Sequence, residues 1–215
     1  MLEKKLVIWA DEARKQDILT RNLLSDFTFE FADGFNQPNN ESSVSAYFIL
    51  DDAMISSFPF DHLEAEIPVF VNEVNGTLID LPVGKCMIRI NAWPGFLRYP
   101  VLELAAGEND KKAAEKILDA IGWDYKWVAD IPGLVTPRVI SMIVNEACYA
   151  VNENVSSAQE IDIALKLGTS YPLGPFEWNK QIGSHRIIQL LDILSANDDR
   201  YQPAPDLKKN LELLS

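Results

Sequence analysis

In the first half of the chain apolar residues come in short runs bounded by charged and turn-forming residues, the pattern of buried strands. Leu6 to Ala10 is the first such run, and Phe27 to Ala32, Ala46 to Leu50, Pro68 to Val71 and Met87 to Ile90 repeat it. Between the first two, Asp11 to Ser25 carries Ile18, Leu19, Leu23 and Leu24 at helical spacing, so residues 6–32 predict one strand–helix–strand unit. The next connection, Asp33 to Ser45, is polar and rich in Gly, Asn, Pro and Ser. It predicts a loop where a second crossover helix would be expected. Residues 51–66 and 72–85 predict only short helical or turn connections.

After Gly107 the period changes to that of helices. Lys111 to Ile121 has Ala113, Ala114, Ile117, Leu118 and Ile121 on one face and leads into an extended stretch, Trp123 to Trp127. Thr136 to Val151 starts with Pro137, tolerated at a first turn, and presents Val139, Ile140, Met142, Ile143, Ala147 and Ala150. Ser157 and Glu160 form a capping box for a helix expected to run to Leu167 and stop at Gly168. Pro175 opens a further helix, with Glu177 in its first turn. Gln202 to Pro205 predicts a rigid turn before a last short helix, Asp206 to Leu214.

Composition narrows the function classes. The 215 residues are 47% apolar and 24% charged, with a net charge of -13, which disfavours nucleic acid and anionic membrane surfaces as partners. No apolar run approaches the ~20 residues of a membrane span, and Met1 to Lys5 is charged but is not followed by the apolar h-region of a signal peptide. A cytoplasmic protein is expected. Cys86 and Cys148 fit reduced thiols better than a disulfide framework, and with only His62 and His185 no metal site is expected.

Several segments of the second half carry a family resemblance. Asp130-Ile131-Pro132-Gly133-Leu134-Val135, then Arg138, then Asn145-Glu146-Ala147, stand at the entrance to the helical region. Glu160-Ile161-Asp162, Lys166-Leu167-Gly168 and the run Tyr171 to Glu177 follow, and Tyr201 to Pro205 precedes the tail. In this order and spacing the segments resemble the C-terminal domain of 3-hydroxyacyl-CoA dehydrogenases. The resemblance implies an α/β plus α fold: an abbreviated Rossmann-like domain over residues 1–128 and a helical domain over 129–215. It also implies NAD as cofactor, an acyl-CoA or acyl-thioester ligand, and a homodimer formed through the helical domain.

Position by position, the same resemblance exposes gaps. Aligning Val101-Leu102-Glu103-Leu104 places Glu103 on the family's catalytic glutamate and Asn91 on its histidine. A base for the hydroxyl proton needs a pKa near working pH, and a carboxamide has none. Neither His62 nor His185 is brought near Glu103 by anything in the sequence. The strand Leu6 to Ala10 is followed by Asp11-Glu12-Ala13-Arg14-Lys15, without the glycines that a dinucleotide turn uses. Asp33 falls where an acid would meet ribose hydroxyls, although Asp-Gly at a strand end is also ordinary turn chemistry. Thr77 corresponds loosely to a substrate-side hydroxyl, and Pro137 replaces an asparagine that precedes the arginine matched by Arg138. Three readings follow: a catalytically impaired or inactive member that keeps acyl-CoA or partner binding; an active NAD-dependent 3-hydroxyacyl-CoA oxidoreductase of fatty-acid metabolism with a rearranged site; and a structural dimerisation protein.

Overall fold

The five apolar runs of the first half, with Val101–Ala106 and the extended stretch that follows Trp123, become seven strands of one sheet: β1 (Lys4–Trp9), β2 (Phe27–Phe31), β3 (Val44–Ile49), β4 (Val69–Val71), β5 (Met87–Ile90), β6 (Val101–Ala106) and β7 (Asp124–Trp127). Their order is β2-β1-β3-β4-β5-β6-β7, and every neighbouring pair is parallel except antiparallel β5–β6. The computed structural model describes residues 4–24, 26–35 and 44–207. The chain divides into two units, Met1–Leu134 and Val135–Ser215.

Strand alternation sends Leu6, Ile8, Phe48, Phe70, Ile88, Ile90 and Leu104 into one core. Val7, Trp9, Tyr47, Ile49, Val69 and Val71 enter a second core on the opposite face. Burial on both faces is why these strands read as unbroken apolar runs. The first core is closed by Ile18 of α1 (Glu12–Leu19) and by Ala114, Leu118 and Ile121 of α2 (Glu108–Ile121), with Phe48 stacked on Phe70 at 4.6 Å. The second is closed by Phe58, Phe60, Leu63 and Leu81, which lie in or beside the single 3-10 turns Phe60–His62 and Leu78–Asp80. Short turns take the place of helices on that face, and this makes the domain small.

The helix expected over Asp11 to Ser25 ends at Leu19, with Leu19 and Leu24 more than half exposed. The Thr20 amide and hydroxyl turn back onto Asp17 O, and the Leu24 amide bonds Ile121 O (3.2 Å), which draws the chain off the helical path. Most of the Asp33 to Ser45 connection lies outside the described residues. The first unit runs past residue 128 to Leu134 because Asp130, Ile131 and Gly133 are bonded back into it, Gly133 N donating to Val74 O (2.8 Å).

The second unit contains α3 (Thr136–Asn152), α4 (Ala158–Thr169), α5 (Pro175–Ile182) and α6 (Ser184–Ser195). Its recognisable sequence segments are structural ties. Asp162 Oδ1 accepts the Phe176 amide (2.9 Å), Glu177 accepts the Gly174 amide (2.9 Å), and Lys166 pairs with Glu177 (2.5 Å), so α4 caps α5. Asn145 bonds the tail twice, donating to Gln202 O (2.8 Å) and accepting from Ala204 N (2.7 Å). Gly168 does not stop α4. The helix continues to Thr169, whose hydroxyl bonds Leu165 O (2.6 Å), and Ser170 takes the left-handed position at φ 57. The expected last helix is described only at residues 205–207, which are helical.

A Cβ on Gly174 would lie 2.2 Å from Asp162 Oδ1, part of the cap itself. Gly174→Ala is expected to destabilise the second unit by about 1–3 kcal/mol, read as a lower urea midpoint. An unchanged midpoint would show that α4 and α5 can separate freely.

Candidate functional site

In an open parallel sheet the ligand crevice lies beyond the carboxyl ends of the strands, where the strand order reverses. Here the chain passes from β1 outward to β2 and then returns to β3 on the other side of β1, so the reversal falls between β1 and β3. Three segments end there: the β1–α1 turn, Leu50-Asp51-Asp52 after β3, and the N-terminus of α1.

That position is filled by Arg14, a wholly buried side chain. Its Nε donates to Ala92 O (3.0 Å), one terminal nitrogen pairs with Asp11, and the other lies 3.3 Å from Asp52 Oδ1. Asp11 is also the N-cap of α1, its Oδ1 accepting the Arg14 amide (2.9 Å). One carboxylate therefore caps the helix and neutralises the guanidinium that rises from it.

Ala92 joins this cluster to the expected catalytic pair. Its amide donates to Asn72 Oδ1 (2.9 Å), and Asn72 Nδ2 donates to Leu50 O (3.0 Å), tying the ends of β3, β4 and β5 together. Asn91 is buried at the end of β5, and its amide donates to Glu103 O (3.1 Å) of β6. Asn91 and Glu103 thus stand opposite one another across the antiparallel pair. Asp17, buried on α1, accepts from Gly95 N (2.5 Å) and pairs with Arg98 (2.5 Å), so the segment after Asn91 is fixed at two further points.

A second buried arginine, Arg89 of β5, organises the ends of β4 and the unit boundary. It donates to Glu73 O (2.7 Å), Val74 O (3.1 Å) and Ile131 O (3.3 Å) and pairs with Asp130 (2.5 Å). Beside it is a cavity of about 470 Å³ whose lining includes Asp52, Glu73, Asp80, Phe58 and Phe60. Burial pushes the Glu73 carboxyl above its ordinary value; the Gly76 amide and Arg89 oppose the rise, and Asp80 and Asp52 add to it. Arg89 and Asn72 have no place in the sequence analysis, and Asp130 appears there only as the first residue of the family-like segment. The available signal was a lone charge inside the apolar strand Met87–Ile90 and an amide directly after Val69–Val71.

Other predicted positions are dispersed. Asp33 is exposed in a turn completed by Gly34 at φ 60. The Thr77 hydroxyl is engaged locally with Asp80 (3.1 Å) as a cap. Pro137 is buried in the first turn of α3, in the second unit. His62 is exposed in the turn Phe60–His62 of the first unit, and His185 is exposed on α6 of the second. Burial raises the Cys86 thiol to about 12 and the Cys148 thiol to about 11, which leaves neither as a nucleophile. Among the described residues no cluster of metal-ligating side chains occurs and no helix is long and apolar enough to cross a membrane.

Within the second unit a groove of about 810 Å³ runs between α3 and α4. Val139, Met142, Ile143, Ile161 and Leu165 line it. Arg138 and Arg200 both stack on the Tyr201 ring at its edge, at 5.0 and 4.5 Å. The apolar residues of α3 therefore serve two faces, with Ile140, Val144 and Cys148 packed inward.

Comparison with known proteins bears on both units. Residues 133–213 match the family model of the 3-hydroxyacyl-CoA dehydrogenase C-terminal domain. The 3-hydroxyadipyl-CoA dehydrogenase of Escherichia coli (strain K12) is 38% identical over 116 residues, 52% of this chain and 24% of that protein. A probable 3-hydroxybutyryl-CoA dehydrogenase of Bacillus subtilis (strain 168) is 32% identical over 108 residues, 49% of this chain and 38% of that protein. The chain thus spans well under half the length of these relatives. The crystal structure of (S)-3-hydroxybutyryl-CoA dehydrogenase from Ralstonia eutropha shares the fold at a TM-score of 0.72 and 15% identity, covering 98% of this chain and 94% of that one.

The Glu73 environment generates a pH-dependence. A carboxyl raised in the folded state penalises the fold once ionised, so this contribution to stability is lost as pH rises from the ordinary value of 4.5 through the raised one. Glu73→Gln, which keeps an acceptor for the Gly76 amide, is expected to raise Tm near neutral pH and to lose that advantage below about pH 4. An advantage that grows toward acid pH would contradict the assignment.

Proposed function

We propose that the chain is a member of the 3-hydroxyacyl-CoA dehydrogenase family that has lost hydride-transfer catalysis and works as an acyl-CoA- or acyl-thioester-binding homodimer. The observation that carries this reading is the residue opposite Glu103. Removing a proton from a hydroxyl calls for a group that can hold it near neutral pH, and imidazole does so without heavy tuning. Asn91 stands at that position, buried, with its backbone bonded to Glu103. Its carboxamide can offer a substrate oxygen a hydrogen bond, not a proton acceptor. Glu103 then has no imidazole to orient. Binding without turnover is the chemistry left to the pair.

The groove of the second unit supports the dimer. Arg138 and Glu146 lie two turns apart on α3, with Met142 midway between them, and all three line the groove. An antiparallel pairing of α3 with α3 of a second copy sets each Arg138 opposite a Glu146 and buries Val139, Met142 and Ile143 at the centre, the self-complementarity a two-fold interface requires. A dimer also matches the exposure of Val139, Ile163 and Leu167 on the same two helices.

Acetoacetyl-CoA reduction followed by NADH absorbance is expected to stay at the no-enzyme rate, while equilibrium dialysis detects saturable acetoacetyl-CoA binding. Saturable turnover would overturn the loss of catalysis. Size-exclusion chromatography with light scattering is expected to give twice the 24.2 kDa chain mass, and Met142→Glu to give one chain mass with an unchanged circular dichroism spectrum. A monomeric wild type would overturn the dimer.

A further inference from the structure

The crevice between β1 and β3 is where this class of sheet receives a dinucleotide, with the pyrophosphate at the N-terminus of the first helix. Such a seat depends on unsatisfied amides at the helix start and on backbone that can approach the phosphates closely, which is the work of glycine. Residues 10–14 read Ala-Asp-Glu-Ala-Arg. One of these amides is already in use: Asp11 Oδ1 takes that of Arg14 (2.9 Å), so the Asp11 carboxylate itself sits at the helix start. The space above the helix start holds the Arg14 guanidinium, wholly buried between Asp11, Asp52 and Ala92 O. These residues do not fit a dinucleotide.

We infer that Asp11 and Arg14 replace the pyrophosphate: the Asp11 carboxylate is the anion at the helix N-terminus, Arg14 is its counter-ion, and the domain takes up neither NADH nor NAD. A pyrophosphate entering the crevice has to expel Asp11 from the cap and meets Asp11, Glu12, Asp51 and Asp52, all carboxylates, at close range. Arg14 cannot turn outward to receive it without leaving Ala92 O unpaired and Asp52 without its cation. Removing one partner of a buried charge cluster is strongly unfavourable, because the partners left behind stay desolvated. At the far end of the crevice, Asp33 is exposed in an Asp-Gly turn. The inference shares the first unit with the proposed loss of catalysis but rests on the Arg14 cluster, not on Asn91.

The test is a titration of the full chain with NADH to about 1 mM, reading nucleotide fluorescence, tryptophan quenching and Tm. The expected result is a linear fluorescence rise with no saturation and no Tm shift. A saturable signal displaced by ADP-ribose overturns the inference, even where acetoacetyl-CoA is not reduced; turnover is the separate result that overturns the loss of catalysis. A substitution tests the cluster itself. Asp52→Asn, at a partly exposed side chain, removes one counter-ion of Arg14 and is expected to lower Tm by roughly 3–8 °C. An unchanged Tm would show that Arg14 does not depend on Asp52 and would overturn the cluster as a fixed occupant of the crevice.

Discussion

A guanidinium removed from water costs several kcal/mol unless its charge is met by the protein. Arg14 is wholly buried, and the first unit is arranged to meet it. Asp11 sets the start of α1 and pairs with the arginine; Asp52 fixes the segment leaving β3; the carbonyl of Ala92 fixes the segment leaving β5. Three strand ends that carry ligand contacts in open α/β sheets here carry contacts to one side chain. The carboxyl edge of the sheet is thereby made rigid from within.

The same economy governs the rest of the domain. A sheet buried on both faces has to be covered on both, and a full set of crossover helices would take far more chain than the first unit contains. One face has α1 and α2; the other has Phe58, Phe60, Leu63 and Leu81 from short turns and loops. Turns have few internal hydrogen bonds, so their ends are secured by side chains instead. Arg89 bonds Glu73, Val74 and Ile131 carbonyls and pairs with Asp130, while Thr77 and Asp80 cap the turn between them. The acidity of the chain is put to use in these positions: Asp11, Asp17, Asp52 and Asp130 each neutralise an arginine.

Strand positions were legible from the sequence because strands buried on both faces leave unbroken apolar runs, and helix starts because Pro137, Ser157 and Pro175 are local chemistry. The recognisable segments of the second unit were legible as a family pattern, and the structure supplies their cause in the Asp162–Phe176 and Asn145–Ala204 contacts. What could not be read were ties between distant segments. Arg14 and Ala92 are 78 positions apart, and Arg89 and Asp130 are 41 apart, so no local pattern connects them. The length of α1 and the end of α4 were misjudged for a related reason: Leu24 is held by Ile121, and Thr169 rather than Gly168 closes the helix, and neither depends on composition alone.

The central claim is that the carboxyl edge of the sheet is occupied by the protein's own ions. A crystal structure determined from crystals grown with NADH and acetoacetyl-CoA tests it most directly. The account predicts Arg14 between Asp11, Asp52 and the Ala92 carbonyl, with no dinucleotide density at the start of α1. Dinucleotide density at that helix N-terminus, with Arg14 displaced toward solvent, would contradict it.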